Sequence, residues 1–141
     1  MPTLTPGDGQ DVLTAFKAAC EDRDPDAGTA IFSDDAEWRP DPFEAPLIGA
    51  NAIREQWNRL AATQVNVEFD AERIWVADGA VLSSWHAAQT SRETGERTRL
   101  RGFLSMELDD AHKVQRMRQW AVTRVVGMDS TISPEPAGEA A

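Results

Sequence analysis

The spacing of apolar residues changes once along the chain, and this change limits the folds open to it. Before Thr63 apolar residues recur every three or four positions, as Val12, Leu13 and Phe16 do in the segment 10–21. After Thr63 they alternate with polar residues, as in "VNVEFDAERIWV". A period of 3.6 is typical of an amphipathic helix, and a period of two is typical of a half-buried strand. The sequence therefore predicts helices followed by strands, an α+β arrangement in which helices cover one face of a sheet.

Capping and turn residues divide the two halves into elements. The helical half contains the helix at 10–21, a short helix that starts at Asp24-Pro25, and a third helix in "GANAIREQWNRLAA". A short strand is predicted at Ala36–Arg39. Turns at Asp78-Gly79, at Thr94-Gly95 and at 109–112 separate four long strands, which we expect to form an antiparallel meander.

The chain has 141 residues, which suits a single domain. Proline and glycine near the start predict a flexible arm over 1–9, followed by a folded domain over 10–126. The segment 127–141 is rich in proline, glycine, alanine and acidic residues, and it is predicted to be a mobile acidic tail.

Charge and composition exclude several classes of function. The net charge is −10, which disfavours nucleic acid and anionic membranes as partners. Cys20 is the only cysteine, so neither an internal disulfide nor a cysteine metal cluster can form. The start "MPTLTPGDGQD" lacks the pattern of a signal peptide, and no apolar run approaches the roughly 20 residues of a membrane span. We expect a cytoplasmic protein without metal or cofactor.

Five stretches carry a family resemblance over roughly 11–126: "FSDDAEWRPDPF", "GANAIREQW", "VADGAVLSSWHA", "RLRGFLSMELDD" and "KVQRMRQW". Their order and spacing resemble the nuclear transport factor 2-like superfamily, and within it the bacterial SnoaL-like and ketosteroid isomerase-like proteins. The resemblance implies a curved antiparallel sheet of four to six strands wrapped around the N-terminal helices. It also implies a cone-shaped domain with an internal apolar pocket, and a homodimer formed through the outer sheet face.

The resemblance implies two catalytic candidates. Asp41, which precedes Pro42, matches the general base of ketosteroid isomerase-like proteins with a one-residue shift. An aspartate in such a loop also commonly caps a turn. His86 lies in a predicted strand and has a side chain suited to proton transfer, although a strand histidine is often only hydrogen-bonded. Periodicity leaves open which face of this strand is internal, and the resemblance favours the row containing His86.

The oxyanion positions of ketosteroid isomerase match Phe16 and Leu104, which donate no hydrogen bond, and the chain has no tyrosine. Steroid isomerisation itself is therefore not expected. The resemblance and the strand faces together predict a set of residues that line a pocket for a small hydrophobic molecule. The set is Phe16, Trp38, Trp57, Leu82, Ser84, Leu104, Met117, Gln119 and Trp120.

Three functions stay open. The first is cofactor-free acid–base catalysis, an isomerase, cyclase or dehydratase that acts on a hydrophobic substrate through Asp41 and His86. The second is a non-catalytic hydrophobic-ligand-binding or accessory dimeric domain. The third is a structural dimer whose pocket is packed shut by tryptophans. The arginines that alternate along the last two strands indicate either an anion site or a salt-bridged outer or dimer face.

Overall fold

The computed structural model describes residues 2–130 and shows three helices and a curved, unclosed sheet of six strands. In chain order the elements are α1 (Pro6–Asp22), α2 (Pro25–Ala30), β1 (Phe32–Arg39), β2 (Leu47–Ile48), α3 (Ala50–Thr63), β3 (Gln64–Ala77), β4 (Ala80–Ser91), β5 (Glu96–Leu108) and β6 (Val114–Met128). No helix in the described part of the chain is both long enough and apolar enough to cross a membrane. The predicted α+β class is confirmed.

The first helix begins earlier than the sequence pattern predicts. Thr5 accepts a hydrogen bond from the Asp8 backbone N–H at 3.2 Å, and Asp8 accepts one from the Thr5 N–H at 2.8 Å. This reciprocal capping, with Pro6 at the first helical position, starts α1 inside the segment 1–9 that was predicted to be flexible. The hydrogen bond from the Thr5 N–H lowers the pKa of Asp8. At the other end β6 continues to Met128, and the predicted tail residues 131–141 lie outside the described residues.

The sheet is mixed rather than wholly antiparallel, which corrects the expected topology. Its strands lie in the order β2-β1-β6-β5-β4-β3. All neighbours are antiparallel except β1 and β6, which run parallel with Trp38 opposite Met117. Parallel neighbours need a long connection, and here α3 and four strands supply it. The sequence pattern predicts the four long strands, but it predicts neither β2 nor the place where β1 inserts.

Aromatic rings fill much of the space between the helices and the inner face of the sheet. Phe16 of α1 contacts Trp57 of α3 and Phe69 of β3, with ring centroids 5.7 and 5.2 Å apart. Trp38 of β1 lies 5.2 Å from the Phe32 ring and 5.3 Å from the Trp57 ring. The region where the resemblance implies an internal pocket is therefore largely occupied by the protein's own side chains.

Gly102 allows β5 and β6 to approach closely. A Cβ atom built at this position would lie 1.8 Å from the Trp120 carbonyl oxygen and 3.0 Å from the Ala121 Cα. Both neighbours are backbone atoms, so they cannot rotate away as a side chain would. Only glycine fits this position without separating the strands, which agrees with the bend that its mid-strand location predicts.

Candidate functional site

The two faces of β4 are opposite to those that the resemblance favours. Val81, Ser83 and Trp85 are buried, whereas Leu82 is 40% exposed and the His86 side chain is 43% exposed. Trp85 lies opposite Gly102 on β5, so the indole has room to pack on the inner face. Because side chains alternate along a strand, burial of the row that contains Trp85 directs Leu82, Ser84 and His86 outward. The expectation that this row lines the interior is wrong.

His86 belongs to a network of charged groups on the outer face. Its Nδ1 lies 3.0 Å from a carboxylate oxygen of Glu72, and its Nε2 lies 3.7 Å from one of Asp70. Asp70 also pairs at 2.9 Å with Lys17, and Glu72 lies 3.6 Å from Arg101. Hydrogen bonds to Glu21 and then to Asp70 raise the pKa of Lys17. The imidazole is thus held between two carboxylates away from the hydrophobic core.

Asp41 caps a turn in the exposed loop between β1 and β2. Its carboxylate accepts a hydrogen bond from the Phe43 backbone N–H at 2.9 Å, which is the turn-capping alternative that the sequence left open. Asp41 follows β1, and His86 lies on β4. In the sheet order β6 and β5 separate those two strands, a spacing of about 14 Å at the usual inter-strand distance. The structure does not bring the two catalytic candidates together.

The other predicted site residues divide between the two faces of the sheet and the core. Five of them are buried in the core and pack on one another: Phe16, Trp38, Trp57, Leu104 and Met117. Gln119 is half-buried and accepts a hydrogen bond from the Trp38 indole N–H at 2.6 Å. Trp120 is exposed, like Leu82, on the outer face. Met117 and Gln119 were expected to share the pocket face with His86, and this expectation is wrong.

A small hollow opens between α1, α3 and the inner face of β3 and β4, and we call it the helix–sheet hollow. Its volume is about 60 Å³. Its lining is formed by Ala19, Cys20, Arg23, Trp57, Leu60, Ala61, Gln64, Val67 and Gln89. Only Trp57 was predicted. Among the others, Ala19, Cys20, Leu60 and Ala61 continue the apolar stripes of α1 and α3 to the C-terminal ends of these helices, a signal that the sequence contained.

The polar groups of the helix–sheet hollow are few. The Trp57 side chain is buried, and its indole N–H has no hydrogen-bond partner among the described residues. Arg23 donates to the carbonyl oxygens of Ala61 and Gln64 at 2.9 and 3.2 Å, which fixes one side of the hollow. Burial raises the pKa of the Cys20 thiol to about 12, so it is neutral at physiological pH. The hollow therefore offers mainly apolar contact rather than an acid–base pair.

A second and larger recess lies on the opposite face of the sheet, and we call it the outer cleft. It has a volume of about 530 Å³. Its lining is formed by Glu68, His86, Ala87, Ala88, Arg97, Arg99, Leu100, Arg101, Val126, Met128, Asp129 and Ser130. Asp129 is buried at its edge and accepts hydrogen bonds from Thr90 and Asn66 at 2.5 and 2.9 Å. Several charged side chains of the outer face thus lie in the cleft and beside it.

Comparison with solved structures identifies the fold. The epoxide hydrolase/cyclase-like enzyme SalBIII of polyether salinomycin formation has a TM-score of 0.76 at 16% identity, with 84% of this chain and 96% of that chain covered. An epoxide hydrolase of the LEH-like type from M. tuberculosis gives 0.70 at 19% identity, with 82% and 84% covered. A ketosteroid isomerase-like protein from Catenulispora acidiphila, solved with trimethylamine, gives 0.71 at 16% identity, with 83% and 86% covered.

These identities are low, so the similarity to each structure concerns the fold and not the chemistry. Comparison of the sequence with the curated proteins finds no significant match. The sequence does match a family profile: residues 13–117, most of the described domain, match the SnoaL-like domain. Together with the helix order and the curved sheet, this match shows that the chain belongs to the SnoaL-like domain family.

Proposed function

We propose that this chain binds a small hydrophobic molecule in the helix–sheet hollow and serves as a binding or accessory domain rather than as an acid–base catalyst. The observation that carries the proposal is the largely apolar lining of the hollow, which Trp57 shares with residues of α1 and α3. Catalysis by Asp41 and His86 would require both groups at one substrate. Neither lines the hollow, and they lie on separate parts of the sheet.

The size of the hollow restricts how a ligand would bind. About 60 Å³ is well below the roughly 300–1,000 Å³ of ordinary ligand sites. A ligand would therefore insert one apolar group, such as a branched alkyl or a small ring, and leave the rest at the rim near Gln64 and Gln89. The trimethylamine complex of the Catenulispora protein is in keeping with a small ligand on this fold.

The experiment is an NMR titration that follows the tryptophan indole N–H signals during addition of toluene, indole, isopropanol and trimethylamine. We expect at least one probe to shift the Trp57 signal in a saturable way. Leu60→Phe, which fills the hollow, should remove this shift, whereas Leu82→Phe on the outer face should preserve it. If no probe moves the Trp57 signal, or if Leu60→Phe binds as the unchanged protein does, the proposal is wrong.

We also propose that the chain forms a homodimer through its outer sheet face. Five large apolar side chains on this face are between 40% and 74% exposed: Trp75, Leu82, Phe103, Trp120 and Val122. They lie on neighbouring strands, and the Trp75 and Phe103 rings stack with centroids 6.3 Å apart. Contiguous apolar surface of this kind is rare on monomers and typical of interfaces.

Light scattering coupled to size-exclusion chromatography tests the dimer. Phe103→Glu places a charge in the centre of the apolar surface and should convert the dimer to a monomer. Phe43→Glu is the matched control, because Phe43 is 94% exposed in the loop after β1. A monomeric unchanged protein, or a dimer that survives Phe103→Glu, would contradict this interface. We further propose a cytoplasmic location, which a chain with a single cysteine favours.

A further inference from the structure

Two arginines that lie opposite each other on the outer face, Arg99 and Arg124, have no carboxylate partner among the described residues. Arg97 pairs with Glu68 at 2.9 Å, and Arg101 has Glu72 at 3.6 Å. Arg99 on β5 and Arg124 on β6 lie directly opposite each other and form no ion pair with residues 2–130. Of the six arginines predicted on this face, Arg97, Arg101 and Arg116 form ion pairs with described residues, and Arg99, Arg118 and Arg124 do not.

This arrangement is costly for the isolated fold. Like charges directly opposite on neighbouring strands destabilise a sheet by roughly 0.2–1 kcal/mol. The chain contains 24 acidic residues against 14 basic ones, so a shortage of carboxylates does not explain why these two arginines are unmatched. A bound negative group would turn the repulsion into attraction, because two guanidinium groups on adjacent strands can both reach one oxyanion.

The surface around Arg99 has the shape of a ligand site. Arg99 and Arg101 line the outer cleft, whose volume of about 530 Å³ lies within the range of small-molecule sites. They also line an adjoining recess of about 360 Å³, which Arg124 and Val122 border. Val126 and Met128 add apolar wall to the cleft. The two recesses share Arg99 and Arg101, and Arg124 lies on the far side of Arg99 in the adjoining recess.

We propose that a small organic anion, a carboxylate or a phosphate ester, binds where the outer cleft meets the adjoining recess. Its charged group is held by Arg99, which lines both recesses, and by Arg124, which lines the adjoining recess. The apolar part of the anion lies against Val126 and Met128. A single charged group suits two unpaired guanidinium groups, whereas a nucleic acid would be repelled by the net charge of −10. The cleft occupies a different level of the strands from the centre of the proposed dimer surface, since Arg99 pairs with Ala88 and Phe103 pairs with Ser84.

Thermal shift and calorimetric titration at constant ionic strength test this site. The probes are inorganic phosphate, phenyl phosphate, acetate and benzoate, each against sodium chloride as the reference. We expect one class of anion to raise the melting temperature with a saturable concentration dependence. A response to the phosphates alone assigns a phosphate ester, and a response to the carboxylates alone assigns a carboxylate. The aromatic member of the active pair should bind more tightly, because it also covers the apolar wall.

Arg99→Gln and Arg124→Gln should each weaken anion binding by about tenfold or more, which corresponds to about 1.4 kcal/mol. Each should also raise the melting temperature of the anion-free protein, because it removes the like-charge pair. Arg118→Gln is the matched control, since Arg118 lies further along the same face of β6, opposite Ser105. It should change binding by less than about twofold.

Three outcomes would overturn the proposal. One is the absence of any saturable anion effect up to about 10 mM, a concentration at which even a millimolar site would be mostly filled. Another is equal loss of binding in Arg118→Gln, which would indicate general surface charge. The third is dissociation of a dimer by Arg99→Gln with no anion binding by the unchanged protein, which would mean that the arginines face a second copy. None of these outcomes depends on ligand binding in the helix–sheet hollow.

Discussion

Replacement of Gly102 by alanine tests whether the close approach of β5 and β6 maintains the curved sheet. The added Cβ would lie 1.8 Å from the Trp120 carbonyl oxygen. Carbon–oxygen contacts between strands are normally no shorter than about 3.3 Å, so the strands must separate locally by more than about 1 Å. The contact is with backbone, and a rotamer change cannot relieve it.

The expected cost follows from that separation. Overpacking in a core usually costs about 1–3 kcal/mol, and a backbone contact belongs at the upper end of this range. Separation of the strands also weakens neighbouring ladder hydrogen bonds, each worth about 1 kcal/mol. We expect Gly102→Ala to lower the free energy of unfolding by about 3–4 kcal/mol. For a chain of this length, that corresponds to a decrease in melting temperature of about 10 °C.

Urea and thermal unfolding, followed by circular dichroism, measure the effect. Gly7→Ala in α1 is the control, because its Cβ would meet only the Thr5 hydroxyl at 3.6 Å. This change should stabilise the protein by about 0.5–1 kcal/mol, as glycine-to-alanine changes in helices do. A Gly102→Ala protein that unfolds within about 0.5 kcal/mol of the unchanged chain would refute the packing argument.

Three further changes test other parts of the structure. Gly28→Ala would place its Cβ 2.3 Å from the Trp57 ring, so urea unfolding should show a loss of about 2 kcal/mol, and a neutral result would mean that the ring is mobile. His86→Ala removes partly exposed ion pairs and should lower the free energy of unfolding by less than about 1 kcal/mol. It should leave the probe-induced shift of the Trp57 NMR signal unchanged, and loss of that shift would contradict the outward position of His86. The Cys20 thiol has its pKa raised from 9.0 to about 12 by burial, so the unfolded chain ionises first and stability should fall as the pH rises from about 9 towards 12. In Cys20→Ala this part of the pH dependence should vanish, and its persistence in stability measurements would show that another group causes it.

Much of the fold could be predicted because local signals agree with it. The change of period after Thr63 and the Asp24-Pro25 helix start are each determined by neighbouring residues. The Asp78-Gly79 turn is another such signal, and both of its residues adopt the positive φ angles that a tight hairpin requires. The parallel pairing of β1 with β6 could not be predicted in this way, because it depends on residues far apart in the chain.

The candidate site was harder to predict than the fold. The two rows of β4 are equally mixed in polarity, so periodicity could not decide which one faces inward. Which row faces inward depends on the pairing of Trp85 with Gly102 on β5, and this pairing is known only once the strand register is known. The family resemblance favoured the opposite row, and it therefore predicted that His86 and Leu82 face the interior. Asp41 illustrates the same limit, because an aspartate before proline caps a turn whether or not a pocket lies beside it.

The position of β1 has a consequence for how the chain reaches its native state in the cell. β1 is paired on one side with the two-residue β2, and on the other side with the last strand, through contacts such as that between Trp38 and Gln119, 81 residues apart. While the ribosome is still synthesising the second half of the chain, the edge of β1 that later pairs with β6 has no neighbour. Open strand edges recruit strands from other chains. Nascent chains that stop before Met117 should therefore aggregate instead of forming a smaller stable unit, and chaperones would be needed until the final strand emerges.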